Sequence, residues 1–181
     1  MMNATEILDF WYAEEMRSKW FASTPQLDAM IKEKYALVWE AALRGELDDW
    51  LDTPDGCLAL AIVLDQFPLN MFRGSAKSFS SEQKAIAVAK HAIGLGYDRL
   101  IERAKVAFLY LPLMHSENLA DQDLCVQLFA SAGLENNLRF AQHHREIVRR
   151  FGRFPHRNAI LDRPSSAEEL GYLNSTEAFL G

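Results

Sequence analysis

The segment Cys57–Leu64 is the strongest constraint on the fold, because every one of its side chains is apolar. Thr53 and Pro54 stand shortly before it. A hydroxyl that can accept from free backbone N–H groups, followed by a proline, is typical of a helix start. A helix that is apolar on nearly all sides leaves no face for solvent. We therefore expect this helix at the centre of the molecule, and we expect Pro68 to end it.

The rest of the chain has helical periodicity and no alternation typical of strands. Apolar residues recur at spacings of three and four along a segment that begins after Thr24 and ends at Gly45. Ser80 with Gln83 matches a capping box, which predicts another helix start. The sequence thus predicts an all-α fold of antiparallel helix hairpins joined by short turns.

Length, composition and charge limit what kind of protein this is. A chain of 181 residues fits one domain, and we expect a single unit over 1–181. No apolar run approaches the ~20 residues of a membrane helix, and the first residues carry acids rather than the basic start of a secretion signal. We expect a cytoplasmic protein. A net charge of -6 argues against nonspecific nucleic-acid binding.

A basic segment, His143–Asn158, stands out in this acidic chain. His144 is one helical turn from apolar residues on either side, so we expect it to point inward. Cationic donors follow around Gly152 and Pro155, and such donors on a tight turn are typical of an anion-binding surface. The polar residues of this turn are Arg153, His156, Arg157 and Asn158.

Two other polar segments, Asp65–Gly74 and Met114–Gln122, are expected to meet the basic one. Asp65 falls on the apolar stripe of its helix and therefore needs a partner, for which Arg73 is the nearest candidate. His115 and Glu117 are candidates for an acid–base pair, although their spacing is not diagnostic of a metal site. The alternative is that these polar residues cap and complement the next helix.

The candidate residues fall into two groups. Candidate catalytic residues are His115, Glu117 and His144, and candidate binding residues are Asp65, Gln66, Arg73, Asp121, Gln122, Arg153, His156, Arg157 and Asn158. Cys57 and Cys125 lie in apolar segments without a neighbouring ligand, so we expect buried thiols. No cofactor motif or recognised metal spacing is present, and we expect neither group.

The blocks DQFPLNMFRG, FLYLPLMHSENLADQ and HHREIVRRFGRFPHRN, in this order, resemble the bacterial family of unknown function DUF924 over nearly the whole chain. The resemblance implies an α-α superhelical fold of the tetratricopeptide-like type and no established activity. The chain departs from the family pattern at Leu69, where an arginine is usual. A cation required there would have to come from Arg73 or Arg157.

Three hypotheses about function follow from these residues. The first is a binding protein whose basic turn takes an anionic small molecule or peptide end. The second is a small hydrolase or metal-assisted enzyme that uses the histidines and carboxylates. The third is a buried polar network that only holds helices together. Solvent-open arginines favour the first hypothesis, and arginines paired internally favour the third.

Overall fold

The computed structural model of the protein describes residues 2–181, which are helical and contain no strand. The helices are α1 (Ala4–Tyr12), α2 (Glu14–Arg17), α3 (Pro25–Arg44), α4 (Pro54–Ala61), α5 (Phe67–Met71), α6 (Glu82–Gly94), α7 (Ala107–His115), α8 (Leu119–Ser131), α9 (Glu135–Phe151) and α10 (Ala167–Leu173). Short 3-10 turns lie at Asp48–Asp52, Ala76–Phe79, Tyr97–Arg99 and Pro155–Arg157. The all-α prediction is therefore confirmed.

Local sequence signals set several helix ends. Thr24 caps α3 by accepting from the Leu27 N–H at 3.2 Å, and Gly45, at φ +80°, ends that helix in the left-handed conformation that glycine favours. Thr53 caps α4 through the Gly56 N–H. These three predicted ends are confirmed, because each depends only on neighbouring backbone groups.

The capping box predicted at Ser80 is wrong. The Ser80 hydroxyl donates backwards to the carbonyl of Lys77 at 2.7 Å, and α6 begins two residues later, at Glu82. The neighbouring Ser81 makes no cap either, because its hydroxyl donates to the carbonyl of Leu64 at 2.5 Å. Both serines thus serve contacts outside the helix that they precede.

The central helix does not end at Pro68, and that prediction is also wrong. A π turn, Ile62–Gln66, joins α4 to α5, so the helix runs on to Met71. Pro68 has no N–H to give to the carbonyl of Leu64 one turn earlier, and that carbonyl accepts the Ser81 hydroxyl instead. The helix therefore passes the proline without leaving this carbonyl unpaired.

The central position expected for this helix is confirmed, because every residue from 56 to 68 is buried. Helix α4 packs against α1, α6 and α7, while α5 packs against α3. Helices α6 to α9 each pack on the next in chain order, as hairpins do. Cys57 and Cys125 are free, buried thiols.

A smaller apolar cluster joins α9 to the turn after it and to α10. Ile147 and Val148 of α9, Phe154 of the following turn and Tyr172 of α10 form it, and Phe179 packs at its edge. This cluster fixes the 3-10 turn Pro155–Arg157 against α9, which positions the basic segment. None of the helices within residues 2–181 has the length and hydrophobicity to cross a membrane.

Candidate functional site

A cavity of about 430 Å³ lies where the three polar segments meet. Its walls come from the π turn, the start of α6, the end of α7, α9 and the Pro155–Arg157 turn. A second cavity of about 600 Å³ adjoins it, and the two share Leu69, Arg73, His115, His144, Phe179 and Gly181. The expected meeting of the three segments is thus confirmed by geometry.

Asp65 and His115 form a buried pair in the wall of the first cavity. The Asp65 side chain leaves the π turn, is 5% exposed, and lies 2.8 Å from Nδ1 of His115 at the end of α7. Gln66 donates its amide to the other carboxylate oxygen. Because a carboxylate can only accept, Nδ1 of His115 is the donor in this hydrogen bond, which fixes the orientation of the ring.

Glu82 and Arg157 form a second pair in the same cavity. Nη1 of Arg157 donates to Glu82 at 2.8 Å, and Nη2 donates to the carbonyl of His115 at 2.8 Å. The guanidinium lies between the rings of Phe79 and Phe154, at 4.5 and 4.7 Å from their centroids. Burial raises the pKa of Glu82 above its usual range, and Arg157 offsets only part of that rise.

Two further histidines complete the wall. Nδ1 of His144 donates to the carbonyl of Phe140 at 2.8 Å, and burial lowers the pKa of His144 to about 3. Burial and the neighbouring Arg157 lower the pKa of His156 to about 4. Nδ1 of His156 is buried without a hydrogen-bond partner. Near neutral pH both rings are therefore uncharged.

Arg73 lies at the rim of both cavities but does not pair with Asp65 as predicted. Its guanidinium donates to Asp28 of α3 at 2.7 Å, and Asn70 and Ser23 also donate to that carboxylate. Burial alone would raise the pKa of Asp28, but these donors outweigh it and lower the pKa. The prediction that Arg73 pairs with Asp65 is therefore wrong. Its actual partner, Asp28, lies 45 positions away in the sequence, so no local pattern indicates it.

Glu117 does not line either cavity. Its carboxylate accepts from Nη1 of Arg163 at 2.7 Å and from the Phe154 N–H at 2.8 Å. Burial acts to raise the pKa of Glu117, but these donors lower it overall. Arg153 also lies outside the cavities, where it binds Glu169 at 2.7 Å and lowers the pKa of that carboxyl to about 2. These pairs hold the turn after α9 in place.

Three other candidates also serve internal contacts. Asp121 accepts from Ser116 Oγ at 2.8 Å and from Lys90. The amide of Gln122 donates to main-chain carbonyls at the end of α7, including that of Met114 at 2.6 Å. Asn158 donates to Ser165 Oγ at 3.0 Å and accepts from Arg163. None of the three lines a cavity, and each satisfies backbone or side-chain groups at a helix junction.

The sequence reasoning missed Glu82 and Phe179. Glu82 directly follows Ser81, and its partner Arg157 lies 75 positions further along the chain, so no local pattern indicates the pair. Phe179 belongs to a stretch without regular secondary structure after α10. Leu69 and Arg73 line both cavities, and Arg157 lines the first.

The arrangement offers proton acceptors, one buried guanidinium and aromatic surface, which suit hydrogen bonding to a small polar group and proton transfer. Across residues 2–181, no group of three or more His, Cys, Asp or Glu side chains is placed to hold a metal ion.

The chain belongs to the bacterial family of unknown function DUF924, whose model matches residues 7–177. A solved structure, that of the protein of unknown function ATU0120 from Agrobacterium tumefaciens, is 40% identical and superposes with a TM-score of 0.90. The match covers 94% of this chain and 96% of that one. A comparison with curated proteins finds no match. The resemblance noted in the sequence is therefore confirmed, and neither description states an activity.

Proposed function

We propose that the protein binds an anionic small molecule or the end of a peptide in the first cavity. One observation carries this proposal: the Asp65–His115 pair, the Glu82–Arg157 pair and the neutral ring of His156 face the same enclosed space. Arg153 and Arg157 are paired internally, which by itself favours a structural network. Binding is supported instead by two buried nitrogens without a partner on residues that line this cavity, Nδ1 of His156 and Nε of Arg157.

The pairing of Arg157 determines how an anion would bind. Nε of Arg157 is buried without a partner, whereas Nη1 already donates to Glu82, so an anion that takes both nitrogens must replace that carboxylate at Nη1. The exchange is easiest when Glu82 is protonated, and its raised pKa brings that state closer to neutral pH. The ligand's apolar part would lie against Phe79 and Phe154. We therefore expect anion affinity to rise as the pH falls.

Histidine NMR tests the proposal directly. The chain has five histidines, of which His115, His144 and His156 line the cavity, while His91 and His143 are outside it and serve as internal controls. Titration of the ¹⁵N-labelled chain with benzoate, phenylacetate and inorganic phosphate should move the three cavity imidazole signals alone. The absence of any such change with all three compounds would contradict the proposal.

Charge variants sharpen this test. Glu82→Gln removes the competing carboxylate and should tighten carboxylate binding at neutral pH, whereas Arg157→Gln should abolish it. Glu168→Gln is the matched control, because Glu168 pairs with Arg150 on the surface, away from the cavity. Equal affinities in all three variants would mean that Arg157 does not receive the anion.

A second candidate function, a small hydrolase, is favoured by the orientation of His115. A buried carboxylate on Nδ1 fixes the imidazole so that Nε2 can take a proton from a water molecule in the cavity. We expect any hydrolysis of p-nitrophenyl acetate or p-nitrophenyl phosphate to be lost in His115→Gln and kept in His91→Gln. Equal rates in these two variants would rule out this role.

Two further parts of the proposal concern the type of helical fold and the location of the protein. The sequential packing of α6 to α9 supports a tetratricopeptide-like superhelix, in which stacked hairpins present a groove. An experimental structure would test this through the rotation relating successive helix pairs. The composition supports a cytoplasmic location, which cell fractionation would test.

A further inference from the structure

The segment Ala178–Gly181 contributes Phe179, Leu180 and Gly181 to the lining of the first cavity. The ring of Phe179 contacts His144 at 4.5 Å and His156 at 5.0 Å between centroids. Its backbone N–H donates to the hydroxyl of Tyr172 at 2.8 Å. By contrast, the neighbouring Leu180 is 70% exposed. A single aromatic side chain therefore anchors this segment between two cavity histidines.

Phe179 and Gly181 border both cavities, so the segment follows the junction between them. The second cavity continues beyond it with apolar surface from Leu111, Met114 and Phe140. Carboxamide side chains also line that cavity, and they can pair with both the N–H and the C=O of an extended backbone. These carboxamides belong to Gln66, Asn70, Asn136 and Asn137.

Few contacts hold the segment in place. Residues 174–177, which connect it to α10, are all exposed. Apart from the Tyr172 bond to Phe179, no hydrogen bond joins the side chain or backbone of residues 179–181 to the rest of the described chain. Besides the Phe179 ring, Ala178 packs against the smaller apolar cluster and donates its N–H to the Ser175 carbonyl at 3.4 Å. A short segment held by so few contacts is able to leave and to be replaced.

We infer that the site recognises an extended peptide segment that carries a phenylalanine, and that Ala178–Gly181 occupies it as an internal substitute. This inference rests on the proposed binding function and names its ligand class. The phenylalanine would lie between His144 and His156, where Nδ1 of His156 lacks a partner. The flanking backbone would pair with the carboxamides of Asn136 and Asn137, because the amide groups of Gln66 and Asn70 already donate to carboxylates.

An internal occupant competes with an external peptide and weakens its apparent affinity in proportion to the time the site is filled. Phe179→Ala removes the anchor from the full-length chain and leaves the histidines and carboxamides in place. We expect this variant to bind an external peptide about 10-fold more tightly than the natural chain, since burial of one large apolar side chain is worth about that much.

The experiment uses a fluorescein-labelled peptide with the sequence of residues 175–181, STEAFLG, and full-length chains, followed by fluorescence anisotropy. Binding to the Phe179→Ala chain should exceed binding to the natural chain. The same peptide with alanine in place of phenylalanine should not bind. Leu180→Ala is the matched control chain, and it should behave as the natural chain does because that side chain is mostly in solvent.

Different outcomes separate this inference from the function on which it rests. If the peptide fails to bind the Phe179→Ala chain while benzoate still moves the cavity imidazole signals, the peptide inference is wrong and anion binding stands. If neither ligand has an effect, both are wrong. Should the variant prove unfolded by circular dichroism, titration of the natural chain with excess peptide decides: unchanged His144 and His156 signals overturn the inference.

Discussion

Replacement of His144 should flatten the pH dependence of stability. In the folded chain this ring is 5% exposed, donates to the Phe140 carbonyl, and has a pKa lowered to about 3. In the unfolded chain an imidazole titrates near pH ~6.5. Between these values the unfolded chain binds one more proton, so the free energy of unfolding falls as the pH falls, by about 1.4 kcal/mol per unit.

From pH 7 to pH 5 this linkage removes about 2 kcal/mol of stability. His156, with a pKa lowered to about 4, acts in the same direction, but less strongly because its ring is partly exposed. Glu82 acts in the opposite direction, because a carboxyl whose pKa is raised by folding favours the folded chain as the pH falls. The difference between variants is therefore the informative quantity.

The assay is urea unfolding at pH 7, 6 and 5, followed by circular dichroism. His144→Gln should lose about 1 kcal/mol at pH 7 through the disturbed Phe140 bond, but it should lose about 2 kcal/mol less than the natural chain between pH 7 and pH 5. His143→Gln, which removes the exposed neighbouring ring, should follow the natural chain. An unchanged pH slope in His144→Gln would refute the reasoning.

Three further substitutions test the packing at two glycines and one ion pair outside the cavities. Gly56→Ala should destabilise the protein by about 1–3 kcal/mol or more, because the added Cβ would lie 2.0 Å from the Trp50 carbonyl oxygen. Gly94→Ala should instead stabilise the protein by about 0.4–1 kcal/mol, because the added Cβ meets nothing within 4 Å. Thermal melts measure the two variants, and equal shifts of their melting temperatures would contradict both predictions. Glu117→Ala should lower the free energy of unfolding by about 2–3 kcal/mol, because it leaves the Arg163 guanidinium without its partner. If the variant unfolds in urea at the same midpoint as the natural chain, this pair contributes nothing to stability.

Local rules predicted the helix ends that depend on adjacent residues. Thr24 caps α3 through the Leu27 N–H, and Thr53 caps α4 through the Gly56 N–H. Each cap closes within three residues, so the signal is complete within a short window of sequence. The capping box predicted at Ser80 is wrong because both serine hydroxyls have other partners. Ser80 donates to the Lys77 carbonyl in the preceding turn, and Ser81 donates to the distant Leu64 carbonyl.

The composition of the site could be predicted only in outline. Concentrated polar residues in apolar surroundings indicated which segments meet, but the partners within them are separated by long stretches of chain. His115 lies 50 positions from Asp65, and Arg157 lies 75 from Glu82. By charge alone, Arg73 is as suitable a partner for Asp65 as His115 is, and only the packing of the helices decides between them. Sequence patterns therefore identified the segments and not the pairs.

The π turn at Ile62–Gln66 divides one helix into two registers. Each residue of an α-helix advances the side-chain direction by about 100°. The extra residue in the π turn therefore rotates the side chains of α5 about the helix axis relative to those of α4. The part before the turn faces α1 and α6, while the part after it faces α3. Deletion of a single residue here would rotate α5 out of phase with α3 and turn Asp65 away from His115. A one-codon deletion would then remove the site through rotation alone, without changing the side chains that form it.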